Sequence, residues 1–210
     1  MKVTLLEITE NAESLIAMAA RVSRRGDHKL TATDEDRLLI GRLIRDGHES
    51  VLEHASATFL IEGISRCCLE QLTRHRLASF TVESQRYTDI HDKFREVFVH
   101  PESVHPRSIE TCNSCIEADG AVCAALVAYD ALIQAGVPYE DARYYLPQGV
   151  TTRLIMTANF REWRHIIKLR TAPDAQWEIR ELADRIRLSL KTLAPSVFED
   201  LAKEGENGSS

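Results

Sequence analysis

Apolar residues at helical spacing recur along most of the chain and predict a mostly helical protein. In residues 11–23, for example, Leu15, Ala19 and Val22 fall on one face of the predicted helix. The helices predicted in this way cover residues 11–23, 33–48, 64–76, 108–135, 139–147, 159–170 and 175–194.

Polar residues and glycines mark where several of these helices begin and end. Asn11 precedes the first helix and is placed to cap it. Thr33 and Asp36 have the spacing of a capping box at the start of the second helix, and Gly47 is placed to end that helix. The sequence AGVP ends the long helix over residues 108–135.

Three segments predict strands, over residues 54–63, 95–99 and 150–159. The first alternates between an apolar side (Ala55, Ala57, Phe59, Ile61) and an opposite side (His54, Ser56, Thr58, Leu60). The combination predicts an α+β fold, a mostly helical single domain over residues 1–202 with a small twisted antiparallel sheet. Residues 203–210 are predicted to be a disordered tail.

Composition and charge narrow the classes of function. The chain has 210 residues and a formal net charge of −6, which argues against sequence-independent binding to nucleic acid. The N-terminal apolar run is interrupted by Glu7, so no signal-peptide core is predicted, and no apolar run approaches the roughly 20 residues of a membrane span. We therefore expect a cytoplasmic protein that binds neither membrane nor nucleic acid.

The five cysteines, an odd number without a secretory signal, argue against a disulfide framework. Cys112 and Cys115 form a CxxC pair, but no second pair of closely spaced ligands accompanies it, so no metal site is predicted. Cys112 and Cys123 share core-like helical spacing with Leu126. The cysteines are accordingly interpreted as buried structural thiols.

The segment RHRLASFTVESQRY, residues 74–87, concentrates cationic and hydroxyl side chains in an otherwise acidic protein. It lacks glycine, which excludes a P-loop or a dinucleotide fingerprint. Residues 77–86 are typical of a loop that wraps an anion with hydroxyls, amides and a guanidinium group. The competing interpretation is a solvated helix with surface ion pairs.

If the helix over residues 64–76 continues through RHR, Arg74 and Arg76 lie about 200° apart around its axis. They could not then hold the same phosphate, and would serve two ligands or two parts of one long ligand. Other cationic groups stand at the edges of predicted elements, a distribution that favours a shared site for polyanions: Arg143, Arg161, His165 and Arg170.

Seven segments taken together resemble the flavin-dependent thymidylate synthases. The central one is RHR followed by a serine eight positions after its second arginine, as in RHRLASFTVES. The others occur in the family's order along the chain, and are AARVS (19–23), GHES with EH (47–50 and 53–54), SQRY (84–87), GVPYEDARYYLP (136–147), TANFREWRHIIKLR (157–170) and AQWEIR (175–180).

The resemblance implies an activity, its cofactors and an assembly. Such enzymes bind FAD and convert dUMP to dTMP, with methylenetetrahydrofolate as carbon donor and NADPH as reductant. The family works as a homotetramer whose active sites are built from several subunits. The Pro-Cys-His signature of the cysteine-dependent thymidylate synthases is absent from this chain, so no cysteine nucleophile is expected.

The resemblance also assigns roles residue by residue. The positions implied for FAD are Ser56, Arg74, His75, Arg76, Asn159, Phe160, Arg161 and His165, and more loosely Ser23 and His54. The positions implied for dUMP are Gln71, Leu72, Thr73, Arg74, Val82, Glu83, Ser84, Gln85, Arg86, Arg143 and Arg170. Arg170 matches the arginine that activates the uracil ring, and no metal is implied. Val82 departs from the pattern, because many members carry Glu or Gln two residues before the serine.

Two other classes of function compete with this hypothesis. A helical His-Asp phosphohydrolase would use His91 and Asp92 together with His54, His75 and Asp130, whose spacing is not that of a metal site. A non-catalytic nucleotide-binding or RNA-binding module would need a more basic chain.

Overall fold

The computed structural model describes residues 1–23, 33–88, 97–101, 103–104 and 113–201, with the side chains of the last range described from residue 117 onward. The helices are α1 (Ala12–Val22), α2 (Asp34–Arg45), α3 (Arg66–Leu72), α4 (Asn113–Gln134), α5 (Tyr139–Ala142), α6 (Phe160–Arg170), α7 (Trp177–Leu193) and α8 (Pro195–Phe198). The strands are β1 (Lys2–Ile8), β2 (Ser56–Ser65), β3 (Ala78–Val82) and β4 (Thr151–Asn159). Short 3₁₀ helices cover Glu49–His54, Arg143–Tyr145 and Glu199–Leu201.

The four strands form one sheet in the order β1-β2-β4-β3. Its central pair runs antiparallel: Thr58 lies opposite Thr157, with 2.9 Å between the two hydroxyl oxygens, and the Arg66 N–H donates to the Val150 carbonyl at 3.0 Å. The prediction of helices with a small antiparallel sheet is confirmed. None of the described helices has both the length and the apolar run needed to cross a bilayer.

Contacts within the chain define two compact units, and every strand contributes residues to both. The first comprises Met1–Lys2, Glu62–Gln71 and Thr81–Leu154. The second comprises Val3–Ile61, Leu72–Phe80 and Ile155–Ser210. In the first unit, Val97, Leu126 and Val150 form a buried cluster against which Phe98, Val122 and Leu146 pack.

The core of the second unit forms where α6 covers the apolar face of β2. That face is the one predicted from the alternating pattern, and Ala57 and Phe59 on it are buried. The Trp163 ring meets Phe59 edge-on at 5.3 Å between centroids, and its indole N–H donates to the Ala57 carbonyl at 3.0 Å. The N–H group of the buried indole therefore has an acceptor. The same bond fixes the position of α6 on β2.

The helix ends agree with the sequence prediction at α2 and differ from it at α1. Thr33 and Asp36 form the capping box, and Gly47 adopts a left-handed conformation (φ 74°) that closes the helix. Asn11 does occupy the cap position of α1, but it is itself left-handed (φ 51°) and its side chain caps nothing. Asn tolerates this backbone conformation better than other non-glycine residues, so the backbone, not the side chain, explains its position.

The prediction of a helix through RHR is wrong. Helix α3 ends at Leu72, and residues 73–77 form turns. Arg74 and Arg76 are therefore not placed on opposed faces of a helix. Residues 78–82, predicted as part of a loop, instead form strand β3, and strand β1 was not predicted at all. Both are edge strands of the sheet, whose stability comes from pairing with a distant partner strand.

Two predictions in the first unit change as well. Of the strand predicted over residues 95–99, only the last three residues are described, and Phe98 makes a single bridge to Val150. Cys123 is exposed on α4, against the interpretation that the cysteines are buried, whereas Cys68 is buried and Cys67 is partly buried. Cys112 and the side chain of Cys115 lie outside the described residues.

A buried arginine anchors α6 to the C-terminal helical segment. The Arg164 side chain is 1% exposed, and its two terminal nitrogens each bond one Asp200 oxygen at 2.6 Å. The same guanidinium donates to the Val197 carbonyl. Two parallel bonds to one carboxylate are the strong geometry for an arginine pair, so this contact is well placed to stabilise the unit.

We expect Asp200→Ala to lower the free energy of unfolding by about 2 kcal/mol, because it removes both short bonds to a buried guanidinium and, among the described residues, leaves only the Glu49 carboxylate, 3.7 Å from Arg164 Nε, as counter-charge. Urea unfolding followed by circular dichroism measures the change. The matched control is Glu181→Ala, which breaks an exposed pair with Arg185 on α7 and should cost less than about 1 kcal/mol. Equal losses in the two variants would contradict the anchoring role of Arg164.

Candidate functional site

A buried histidine in the turn after α3 contacts the last residue of α6. His75 is 4% exposed, and its Nε2 accepts a hydrogen bond from Arg170 Nε at 2.9 Å. Arg170 itself is only partly buried. The contact joins one of the positions implied for FAD to the position implied for activation of uracil.

Two further groups from the first turns of α6 complete what we call the His75 cluster: His75, Glu162, His165 and Arg170. Glu162 Oε1 lies 3.6 Å from His75 Nδ1, and the His165 ring meets the His75 ring edge-on at 5.8 Å between centroids. Burial, and then the positive charges of Arg170 and His165, lower the pKa of His75 from 6.5 to about 4. Burial raises the pKa of Glu162, which His165 partly opposes.

The cluster has the donor atoms of a metal site, but its electrostatics are unfavourable for one. Ligand atoms of His75, Glu162 and His165 lie within 4.8 Å of one another. However, Arg170 already donates to one nitrogen of His75, and its permanent charge disfavours a second cation beside it. We interpret the cluster as an electrostatically coupled group around His75. For the competing phosphohydrolase hypothesis, His91 and Asp92 lie outside the described residues.

The N-terminus of α6 carries three of the positions implied for FAD. Asn159 is the cap residue, and its side-chain oxygen accepts the Glu162 N–H at 2.9 Å. The Phe160 side chain is completely buried and packs edge-on against Phe198. Arg161 is half-exposed and donates to Glu53 at 2.6 Å. The Phe160 N–H donates to the Ala55 carbonyl at 2.8 Å, so two of the first N–H groups of the helix already have acceptors. This end of the helix therefore offers an anion the positive end of the helix dipole and the Arg161 guanidinium.

The remaining positions implied for FAD lie in the same unit and are exposed. Arg74 and Arg76 stand on either side of the buried His75 in the turn. Ser56 opens β2, where its N–H donates to the Thr9 hydroxyl at 2.9 Å. The arrangement places two exposed arginines on either side of one buried imidazole.

Two arginines implied for dUMP lie in the other unit and are held by one glutamate. Arg86 donates from Nε and Nη2 to the same Glu140 oxygen, at 2.8 Å in each case. The bond to Glu140 raises the pKa of Arg86. Arg143 lies one turn beyond, and its Nε donates to the Glu140 backbone carbonyl at 3.1 Å. One glutamate thus organises both arginines.

A further arginine, Arg66, binds the backbone of the loop that precedes Arg86. Arg66 Nη2 donates to the Glu83 carbonyl at 3.0 Å, and the Glu83 carboxylate lies 3.3 Å from Arg153. Burial lowers the pKa of Arg66; the charge of Glu83 opposes this and that of Arg143 adds to it. The Glu83 side chain is therefore held against β4 by its contact with Arg153.

The other positions implied for dUMP differ in exposure. Leu72 is 1% exposed and belongs to the core, whereas Thr73 is exposed. Gln71, Val82, Ser84 and Gln85 are all partly buried. The Ser84 hydroxyl accepts the Arg86 N–H at 3.2 Å, which folds the loop back on itself.

Sequence reasoning missed four residues that hold the implied site residues in place: Glu53, Arg66, Glu140 and Glu162. One signal was available for Arg66. It is the first residue of α3, where the helix dipole disfavours a cation. An arginine at such a position indicates that its side chain makes a contact outside the helix. The glutamates gave no such signal, because acids in the first turn of a helix or on a surface are common.

Comparisons with known proteins bear on the family of the chain. The family model described as "Thymidylate synthase complementing protein" matches residues 4–196. A flavin-dependent thymidylate synthase from Geobacter sulfurreducens is 42% identical over 207 residues, covering 95% of this chain and 86% of the relative. One from Pyrococcus furiosus is 41% identical over 191 residues, covering 87% of this chain and 76% of the relative.

Solved structures give the same result. A crystal structure of the flavin-dependent thymidylate synthase ThyX from Helicobacter pylori, complexed with FAD and dUMP, superposes with a TM-score of 0.79 at 25% identity. The match covers 97% of this chain and 100% of that one. On the family model, the relatives and the fold together, this chain belongs to the flavin-dependent thymidylate synthases.

Proposed function

We propose that the protein catalyses the reductive methylation of dUMP to dTMP, with FAD as hydride carrier. The observation that carries the proposal is the contact between Arg170 and the neutral, buried His75, in the unit that holds the positions implied for FAD. Family membership and the Helicobacter pylori relative complexed with FAD and dUMP support it. By the same resemblance, methylenetetrahydrofolate would supply the carbon and NADPH the reducing equivalents.

The residues of the second unit fit a flavin dinucleotide. Arg74 and Arg76 offer exposed guanidinium groups for its phosphates, and Arg161, in the first turn of α6, would offer a third on leaving Glu53. His165 is exposed beside them, and the Asn159 amide and the Ser56 hydroxyl would add hydrogen bonds. Phe160 would support these groups from the core. When bound, FAD supplies the hydride, and the protein's task is to bind and orient it.

For dUMP, we propose that Arg86, Arg143 and Ser84 hold the phosphate end of the nucleotide. Gln71, Leu72, Thr73 and Arg74, with the loop residues Val82, Glu83 and Gln85, would complete its surroundings. In the described structure the Arg86 guanidinium already donates to the Glu140 carboxylate. The phosphate must therefore replace a carboxylate, so the net affinity is the difference between two charged interactions.

Arg170 is proposed to activate the uracil ring. An arginine keeps its charge, so it cannot exchange a proton as a general acid or base would. It can stabilise the anion that forms when the ring loses a proton, which raises electron density at the carbon that accepts the methylene group. No cysteine nucleophile is needed for this route.

We also propose that the chain forms one functional domain over residues 1–202 and assembles as a homotetramer in the cytoplasm. The support is the family resemblance. The activity is tested by measuring dTMP formed from dUMP, methylenetetrahydrofolate, NADPH and the FAD-loaded protein. Failure to form dTMP, and failure to rescue a thymidine-requiring strain, would refute the proposal.

Arg76→Ala should weaken FAD binding by roughly 10- to 150-fold, the value of one lost charge-assisted hydrogen bond. Flavin absorbance after gel filtration, normalised to protein, measures occupancy. Arg185→Ala is the control, because Arg185 is also half-exposed and pairs with Glu181 on α7. Full occupancy in Arg76→Ala would remove Arg76 from the site.

Arg170→Ala should reduce turnover at saturating dUMP by on the order of 100- to 1000-fold, as expected for one lost transition-state donor. Arg170→Lys should restore only part of it, because lysine lacks the planar fork. Arg86→Ala provides the contrast: it should raise the KM for dUMP with little change in kcat, since the phosphate contact is equal in ground and transition states. Normal turnover by saturated Arg170→Ala would reassign Arg170 to binding alone.

Light scattering on the flavin-loaded protein should give about four times the 23.7 kDa of the chain, if active sites are built from several subunits as the family resemblance implies. Dilution through the dissociation range should reduce activity and mass together. A monomer with full activity would refute the proposed assembly.

A further inference from the structure

We propose that Glu162 is a positioning residue for Arg170, acting through His75. Its carboxylate faces Nδ1 of His75 and stabilises a proton there, so that the imidazole presents the lone pair of Nε2 to the Arg170 guanidinium. The inference rests on the proposed role of Arg170 in activating uracil. It gives a function to Glu162, which has none in the proposed mechanism so far.

The first step concerns the tautomer of His75. An arginine Nε carries a hydrogen and has no lone pair to offer, so in the 2.9 Å contact Arg170 is the donor and His75 Nε2 the acceptor. A neutral imidazole has one protonated nitrogen, which must then be Nδ1. The geometry therefore requires the proton on the nitrogen that faces Glu162.

The second step concerns what holds that proton. Glu162 Oε1 lies 3.6 Å from Nδ1, longer than a hydrogen bond but close enough for a strong electrostatic preference between two side chains that are 4% and 8% exposed. Among the described residues, the charged and titratable groups that face His75 are Glu162, His165 and Arg170. Of these, only Glu162 can carry the negative charge that favours an N–H on its side of the ring.

The charge state of His75 supports the same assignment. Its pKa of about 4 means that the imidazole is neutral at physiological pH, so it keeps the lone pair that Arg170 needs. A protonated ring would present an N–H to another N–H and repel the guanidinium. Acid below about pH 4 should therefore break the contact, whereas neutral and alkaline solutions should preserve it.

The consequence for Arg170 is one of orientation. The guanidinium is planar and rigid, so fixing Nε also fixes the plane in which the two terminal nitrogens point. Arg170 is the last residue of α6, where side chains are less restrained by their own helix. A fixed partner there reduces the reorganisation needed when charge develops on the substrate.

The tautomer can be observed directly in the wild-type protein. ¹⁵N NMR of the protein labelled at histidine, measured as purified, should show a protonated Nδ1 and an unprotonated Nε2 for His75, unchanged from pH 8 down to about pH 5. His75→Gln identifies the resonance among those of the eight histidines. A proton on Nε2 would overturn the proposal, whatever the behaviour of any variant.

A double-mutant cycle separates positioning from a general structural effect. Glu162→Gln keeps the shape, but its amide can donate to Nδ1 and favour the wrong tautomer. We expect kcat to fall by on the order of 10-fold, within the range for residues coupled in one network, with the KM for dUMP and flavin occupancy changing less than about 2-fold. In an Arg170→Lys background, which lacks Nε, Glu162→Gln should change kcat less than about 2-fold.

Glu13→Gln is the matched control. Glu13 is also an acid in the first turn of a helix of the same unit, and it accepts the Ser196 N–H at 2.7 Å. Its kcat should stay within about 2-fold of wild type. A 10-fold loss from Glu162→Gln in both backgrounds, or no loss in either, would refute positioning. Wild-type protein that makes no dTMP would instead refute the proposed function, while the NMR result would still decide the tautomer.

Discussion

The burial of one face of α6 is the constraint on which the candidate site depends. Trp163 is held by the Ala57 carbonyl of β2, and Arg164 by Asp200, so the helix can neither rotate nor slide without breaking a buried polar contact. With that face fixed, helical geometry leaves Arg161 and His165 exposed on the other side. Glu162 lies at one edge of the buried face, whereas Arg170 lies in the last turn, nearly in line with Trp163, and both reach His75. The core of the unit and the chemistry of its surface are consequences of the same packing.

In each unit, an exposed arginine of the implied site is paired with an acid. Glu140 holds Arg86, and Glu53 plays a similar part for Arg161. In an acidic protein such pairs keep a guanidinium extended and oriented before an anionic ligand arrives. The pairs are also half-exposed, so each contributes little to stability and can be exchanged for a phosphate at small cost. Their value lies in orientation more than in strength.

Much of the fold could be predicted because local chemistry and tertiary structure agree there. The alternating face of β2, the capping box of Thr33 and Asp36, and the glycine that closes α2 each satisfy a local rule that the fold also needs. The prediction was wrong where distant pairing decides the outcome. The helical pattern continues past Leu72, yet residues 78–82 join β4 as an edge strand, and the chain must turn at RHR to reach it. The arginines of the site follow from residue type and family resemblance. The acids that hold them do not, because each comes from a segment distant in sequence or resembles an ordinary surface acid.

The turn at RHR also explains why a histidine stands between the two arginines. A helix would have spread the three side chains around its axis, whereas the turn buries the middle one and exposes its neighbours. Burial is costly for a charged side chain, and a second positive charge beside Arg170 would cost still more. The buried side chain at position 75 must therefore be neutral near pH 7 and still accept a hydrogen bond. Imidazole meets both requirements, because lysine and arginine have no acceptor and a carboxylate would neutralise Arg170. A neutral acceptor orients the cation and leaves its charge available to an anionic substrate. That combination is what electrostatic activation of a ring anion requires.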